Sequence, residues 1–369
     1  MATDLQKAFL TLVRLGIGAA DQITPDCNDV FRSIDWDAMQ VLANEQGLSA
    51  IAVDGLERLP AELKPSKPVL LQWIGETLQG ESVYADQWRA ACKMSRIFDT
   101  KGIRTYILKG FVVSECYPNP KHRVSVDLDC FLIETVQGSF PKVQHFDAWE
   151  LGNRLMEQCG FDVDRSFYKN STLYLPGLTV ENHQFMTAVR GSKRLKKLER
   201  LLQSLICEDT ELQRFEGTCM YRPPVVASAL FLIEHAYAHF LHEGLTWRMV
   251  LDWMMFSKKH QQEIDWHALD ALIDEYGFRK FYDSFLRLGK WLTGDLQEFD
   301  SLSIRDKRMM ADIWAPLDLH EFHGVKGKIA LAGNEIRASW KYKYFTPDTM
   351  IGDLFNRVKG FLFERNPRI

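Results

Sequence analysis

No two cysteines in this chain are spaced as CxxC, and the seven present, Cys27, Cys92, Cys116, Cys130, Cys159, Cys207 and Cys219, are odd in number and scattered. That excludes a zinc ribbon and a disulfide framework, so reduced thiols in the cytoplasm are expected. Neither sign of charge dominates: 45 Lys and Arg against 49 Asp and Glu leave a net charge of −4, which removes any whole-chain electrostatic grip on nucleic acid or an anionic membrane. Long apolar runs are missing too. VVASALFLIEHAYAHFL, around Leu230, is interrupted by Glu234, His235 and His239 and falls short of a membrane span. The start, MATDLQKAFLTLVRLGIG, lacks the basic region and uninterrupted apolar core of a signal peptide. A soluble protein is expected. GxGxxG, Walker, GxSxG and HExxH motifs are all absent.

What remains is a chain of 369 residues, 46% hydrophobic and 12% aromatic, long enough for a large core and more than one domain. Before about residue 104, apolar positions recur at three- and four-residue spacing, as in LQKAFLTLVRLG and WDAMQVLANEQGL, and Pro60, Pro65 and Pro68 separate these helical segments. The period then shortens. IRTYILKG is β-rich, VSVDLDCFLI alternates, and FDVDRSFYKN through STLYLPGLTVENHQFM carries strands around a Pro-Gly turn, with helical FVVSECY and AWELGNRLMEQCG between them. Beyond Gly191 the helical period returns. The expected architecture is α+β: N-terminal helices over 1–103, a mixed-sheet core over 104–191 and a C-terminal helical domain over 192–369. The mildly basic stretch from Gly324, with Lys326, Lys328, Arg337, Arg365 and Arg368, reads as a solvated helix face rather than a nucleic-acid patch.

The chemistry concentrates in Arg123-Val-Ser-Val-Asp127-Leu-Asp129-Cys-Phe. Residues two apart on a strand share a face, so Asp127 and Asp129 stand side by side, flanked by Val124, Val126, Leu128, Phe131 and Leu132. Two anions in apolar surroundings need a cation. Mg²⁺, which completes a few carboxylates with water and substrate phosphate, meets that need, as would an ion pair with Arg104, Lys109 or Arg123. Glu181, sharing a face with His183 in LTVENHQF, is the expected third carboxylate, with Asp162 and Asp164 as alternatives flanking a turn. Upstream, Gly110 allows close backbone approach to a phosphate, and Lys109 supplies a positive contact.

His235, His239 and His242, spaced by four and three, fall on one helix face and offer a zinc site as an alternative. Arg248 and Asp252, four apart, can pair on a helix, and Tyr117 either stacks on a base or covers the core. Cys116 and Cys130 read as buried thiols.

Taken together, LKG, CYPNPKHR, VSVDLDCF, VENH and EHAYAHFLHEGLTWRMVLDW resemble an uncharacterised bacterial nucleotidyltransferase family within the DNA polymerase β-like superfamily, over roughly Ile103 to Phe256. The resemblance implies a small mixed sheet, two Mg²⁺ ions on a triad of Asp127, Asp129 and Glu181, and transfer of a nucleoside monophosphate from an NTP to a hydroxyl. It further implies nucleotide contacts from Lys109, Gly110, Arg123 and His183, with His239 and Arg248 lining the cleft. Lys109-Gly110-Phe111 stands where the superfamily usually has Gly-Ser or Gly-Gly. The acceptor is open among a small molecule, a sugar and a protein side chain, and the acidic net charge disfavours an RNA end. An inactive nucleotide-binding module and a metal-dependent phosphohydrolase use the same residues and are the rival functions.

Overall fold

The structure, a computed structural model, describes residues 3–23, 25–135, 143–296, 301–315 and 338–363. Lys326, Lys328, Arg337, Arg365 and Arg368 of the basic stretch lie outside the described residues.

Side-chain caps start several helices. Thr3 and Gln6 form a reciprocal capping box at the head of α1 (Asp4–Gly16). After α2 (Pro25–Arg32), Asp35 accepts from the backbone of Asp37 and Ala38 to begin α3 (Trp36–Glu45). Next come α4 (Ser49–Glu57) and α5 (Lys67–Asp99), 33 residues long, with Pro68 in its first turn, where a missing N–H does no harm.

The chain then enters a sheet through β1 (Ile103–Ile107), the four-residue α6 (Phe111–Ser114), β2 (Asp127–Thr135), β3 (Val143–Gln144), α7 (His145–Gln158), β4 (Asp162–Asp164), β5 (Asn170–Leu175) and β6 (Leu178–His183). The strands run β4-β5-β6-β2-β1-β7, with β3 paired to the end of β2. The last, β7 (Met220–Tyr221), arrives after α8 (Lys193–Cys207), so the sheet takes a strand from beyond Gly191. Pairings β2–β6 and β1–β7 are parallel and the rest antiparallel. A mixed sheet amid many helices makes this an α+β fold. Leu128 through Ile133 are all buried, as a central strand covered on both faces requires. Pro176-Gly177 closes the β5–β6 hairpin in two residues, Gly177 taking φ +73°.

Helices complete the chain: α9 (Val225–His242), α10 (Trp247–Lys259), α11 (Trp266–Glu275), α12 (Arg279–Thr293), α13 (Ile304–Trp314), α14 (Ser339–Phe345) and α15 (Met350–Phe363). By length and composition α9 could cross a membrane, but 67% of it is buried inside the protein. It packs against α8 and α10 and carries the histidines. Its C-terminal end is tied down by the buried Lys341, whose Nζ donates to the Phe240 carbonyl at 2.7 Å and pairs with Asp312 at 2.7 Å. That tie places α14 against the end of α9.

Candidate active site

Parallel register sets Asp129 of β2 directly opposite Glu181 of β6. Asp129 is 1% exposed, and its Oδ1 lies 3.0 Å from His183 Nε2, which is also 3.6 Å from Glu181 Oε2. The other ring nitrogen of His183, Nδ1, faces the Phe185 carbonyl at 3.1 Å and therefore carries a proton. Nε2 then bonds Asp129 only as an imidazolium; in the neutral ring its lone pair points at the two carboxylates, the usual posture of a metal-bound histidine. Ligand atoms of Asp129, Glu181 and His183 all lie within 4.8 Å of one another, and this group could hold a metal ion.

Opposite influences act on the two carboxyls. Burial would raise Asp129, but the Lys109 ammonium and His183 hold it well below the usual carboxylate range. Burial and the charges of Asp129 and Asp127 push Glu181 up, against the pull of His183. Carboxyls driven apart in this way suit different chemical roles. Lys109 Nζ sits 3.1 Å from Asp129 Oδ2, off the hydrogen-bond direction, so that buried oxygen accepts no hydrogen bond. Lys109 instead bonds His235 Nε2 at 3.0 Å, and burial together with the lysine charge keeps His235 neutral. The turn behind Lys109 requires glycine: Gly110 has φ +61°, and a Cβ there would meet Leu128 Cδ1 at 3.3 Å.

Lys109, Asp129, Glu181 and His235 line a cleft of about 460 Å³ between the sheet and α9–α10, with Asp127, Lys169, His239, Glu243 and Arg248 also on its walls. The uncharacterised nucleotidyltransferase family model matches residues 32–294, covering most of the chain and all of this cleft. The chain belongs to that family. Neither a curated protein nor a solved structure matches it. Membership supports nucleotidyl transfer in general and implies a nucleotide substrate.

Of the expected triad, Asp127 stands apart from Asp129 and Glu181. It lies in the cleft at the open end of β2, opposite Thr179, and is not part of the close group that His183 completes. Residues two apart on a strand are about 6–7 Å apart along it, more than one bare contact spans. The alternatives Asp162 and Asp164 sit on edge strand β4, separated from β2 by β5 and β6, and Asp164 is used by Ser166.

Arg123 pairs with neither Asp127 nor Asp129. Its Nε and Nη2 grip Asp252 at 3.0 and 2.7 Å, while Tyr117 Oη donates to the same carboxylate at 2.8 Å. Asp252 therefore does not form the expected helical pair with Arg248, whose Nη1 instead donates to the Val124 carbonyl at 2.8 Å. The bidentate fork of Arg123 outcompetes a single contact from the same helix. Through Nη1 Arg123 also reaches Ser125 Oγ at 3.2 Å, and Ser125 donates to the Asp127 carbonyl at 2.7 Å. A chain of bonds thus runs from α10 to the first residue of β2.

His239 lines the cleft with its Nδ1 on Glu243 at 2.8 Å, its ring centroid 4.4 Å from that of His235. Among the described residues, His235, His239 and His242 form no group able to hold a metal, so the zinc alternative is not supported. Lys169, at the cleft wall just before β5, escaped sequence reasoning because nothing but the fold brings it to Glu181.

Proposed function

We propose that the protein transfers a nucleoside monophosphate from a Mg²⁺-bound NTP to the hydroxyl of a small acceptor and releases pyrophosphate. The opposition of Asp129 and Glu181 across β2 and β6, with His183 Nε2 aimed between them, carries this proposal. The residues fit a divalent cation, because the buried Asp129 carboxylate, the half-buried Glu181 carboxylate and an imidazole lone pair converge and Asp129 Oδ2 lacks a hydrogen bond. Asp129, Glu181 and His183 would hold one Mg²⁺, and Asp127 with Asp129 a second. When bound, such ions neutralise phosphate charge and polarise the reacting oxygens.

In the reaction the acceptor oxygen bonds to the α-phosphorus, and the bond from that phosphorus to the bridging oxygen breaks, pyrophosphate leaving with the electron pair. The hydroxyl proton passes to the Glu181 carboxylate. Lys109 exchanges Asp129 for phosphate oxygen, and neutral His235 holds the lysine in place as it does so. Arg123 anchors the strand through Asp252, while Lys169 and Arg248 on the cleft wall supply charge to the triphosphate. NTP chemistry and cysteines that remain unpaired among the described residues support a cytoplasmic setting.

Calorimetric binding of the four NTPs, with and without Mg²⁺, tests this, together with assays of pyrophosphate release. Binding that requires Mg²⁺ and weakens at least about 100-fold in Asp129→Asn is expected. The Lys109–Asp129 ion pair favours one rival, a domain that binds nucleotide without transferring it. NTP binding without pyrophosphate release from any hydroxyl acceptor would select that rival, and no NTP binding under any condition would overturn both.

A further inference from the structure

Beside the catalytic cleft lies a second cavity of about 480 Å³, within the size range of small-molecule sites. Phe167, Ala188, Ala238 and His242 line both spaces, so one wall joins the β2–β6 carboxylates to a chamber formed by α8, α9, α14 and α15. Most of its charged side chains are matched. Arg194 pairs with Asp348, Arg357 pairs with Asp353 at 3.0 Å, and the Arg190 guanidinium stacks 3.8 Å over the Tyr168 ring.

Glu234 is different. It is 1% exposed, lines the chamber, and its Oε2 has no hydrogen-bond partner. The nearby Glu199, equally enclosed, shows how this fold satisfies a structural carboxylate: it accepts from Met186 N at 3.1 Å, Thr187 N at 2.7 Å and Gln203 Nε2 at 2.8 Å. A buried carboxyl left without such donors is costly, and a cavity wall is where a ligand can supply them. Lys169, His183 and His239 lie near enough to influence Glu234, yet among the described residues none forms an ion pair with it.

Resting on the transfer reaction above, we propose that this chamber seats the acceptor, and that the acceptor is a small polyhydroxylated molecule carrying a protonated amine. The amine bonds the Glu234 carboxylate and is not modified. A hydroxyl of the same molecule reaches past Ala238 to the cleft, where its oxygen takes the nucleotidyl group, its proton passes to Glu181, and pyrophosphate leaves. The cavity's size excludes a polymer end as its full occupant. Aromatic and aliphatic walls from Phe167, Tyr168, Leu241 and Tyr342 suit the carbon face of such a molecule.

Two matched pairs test this by calorimetry near pH 8, where an alkyl ammonium is still charged: glucamine against glucitol, and 2-amino-1,3-propanediol against glycerol. In the wild type, each amine should bind about tenfold or more tightly than its polyol. That preference should vanish in Glu234→Gln, with Mg²⁺-dependent NTP affinity unchanged. Asn356→Phe, which fills the α15 wall, should weaken both amines about tenfold without touching the carboxylate. Equal binding of amine and polyol, no binding of either amine, or a preference that survives Glu234→Gln would overturn the proposal. A large loss of NTP affinity in Glu234→Gln would give the chamber to the nucleotide and overturn it too. Because the amine pairs are measured with and without NTP, failure of the transfer reaction shows separately, as absent Mg²⁺-dependent NTP binding.

Discussion

Asp252 and Asp129 are both buried carboxylates beside a cation, and they are finished differently. Asp252, 4% exposed, has both oxygens held by Arg123 and a further bond from Tyr117, which keep its pKa low despite burial. Asp129, 1% exposed, faces a lysine that leaves Oδ2 without a hydrogen bond and a histidine that can donate to it only as an imidazolium. A carboxylate meant only to hold the fold is saturated with donors in fixed geometry, whereas one meant to exchange partners is left with an open oxygen and a cation that can move. The two stand on neighbouring supports, since Arg123 also fixes the start of the strand that carries Asp129.

The largest effect should come from removing the cation of the saturated cluster. Arg123→Met leaves Asp252 buried and uncompensated, and should cost about 3–5 kcal/mol in urea unfolding. Mg²⁺ should recover none of it. Lys109→Met should cost less, because His183 remains on Asp129, and saturating Mg²⁺ should recover a substantial part by binding the folded form alone. Equal and Mg²⁺-independent losses for the two variants would show that both clusters are structural, and the distinction would fall.

Next in size is Glu234, the carboxyl with an unserved oxygen. Burial pushes it from an ordinary carboxyl value up to about 7. A raised folded-state pKa makes this group's contribution to stability fullest below the unfolded value near 4.3, and that contribution is lost as pH rises through about 7. Glu234→Gln has no such loss. The variant's stability relative to wild type should therefore climb between about pH 4.5 and pH 8, gaining on the order of 3 kcal/mol. A difference that stays flat across that range would mean that Glu234 is already partnered in the fold.

Period alone made much of the carboxylate-bearing strand β2 legible. Asp127 and Asp129 two apart, and Glu181 with His183 two apart, put four side chains on sheet faces before any coordinates. The Pro176-Gly177 turn marked the β5–β6 hairpin for the same local reason. What could not be read is the pairing across long separations. Arg123 with Asp252, and Lys109 with His235, are each more than a hundred residues apart, and the helical i,i+4 rule offered Arg248 as the nearer partner for Asp252. Local spacing gives the contacts a helix permits; a buried bidentate geometry supplied by another segment overrides them. Strand β7 escaped because two residues have no period, and Glu234 because an unsatisfied carboxyl is defined by the donors that fail to reach it.

The smallest expected effect concerns a third arrangement, in which the cation itself can be switched off. His122 ends the 3-10 turn Pro120–His122 just before Arg123, with Nδ1 2.7 Å from Asp54 Oδ2 and Nε2 2.9 Å from Glu81 Oε1. It bridges α4 and α5 to the loop that feeds β2. Burial works against its charge, but the two carboxylates prevail and its pKa is raised, while Glu81, bonded by His122 and near Lys121, is lowered. A histidine raised in the folded state contributes in full below the unfolded value of about 6.5, and the contribution disappears as pH rises through the folded value. His122→Ala should thus cost on the order of 1–2 kcal/mol near pH 5.5, after allowance for the partly solvated carboxylates, and progressively less toward pH 9. Urea midpoints of the pair across that range are the measurement. A constant gap would assign His122 to shape alone. A narrowing gap would show a charge-dependent clamp next to Arg123, whose own cluster should keep its full value throughout because a guanidinium does not titrate there.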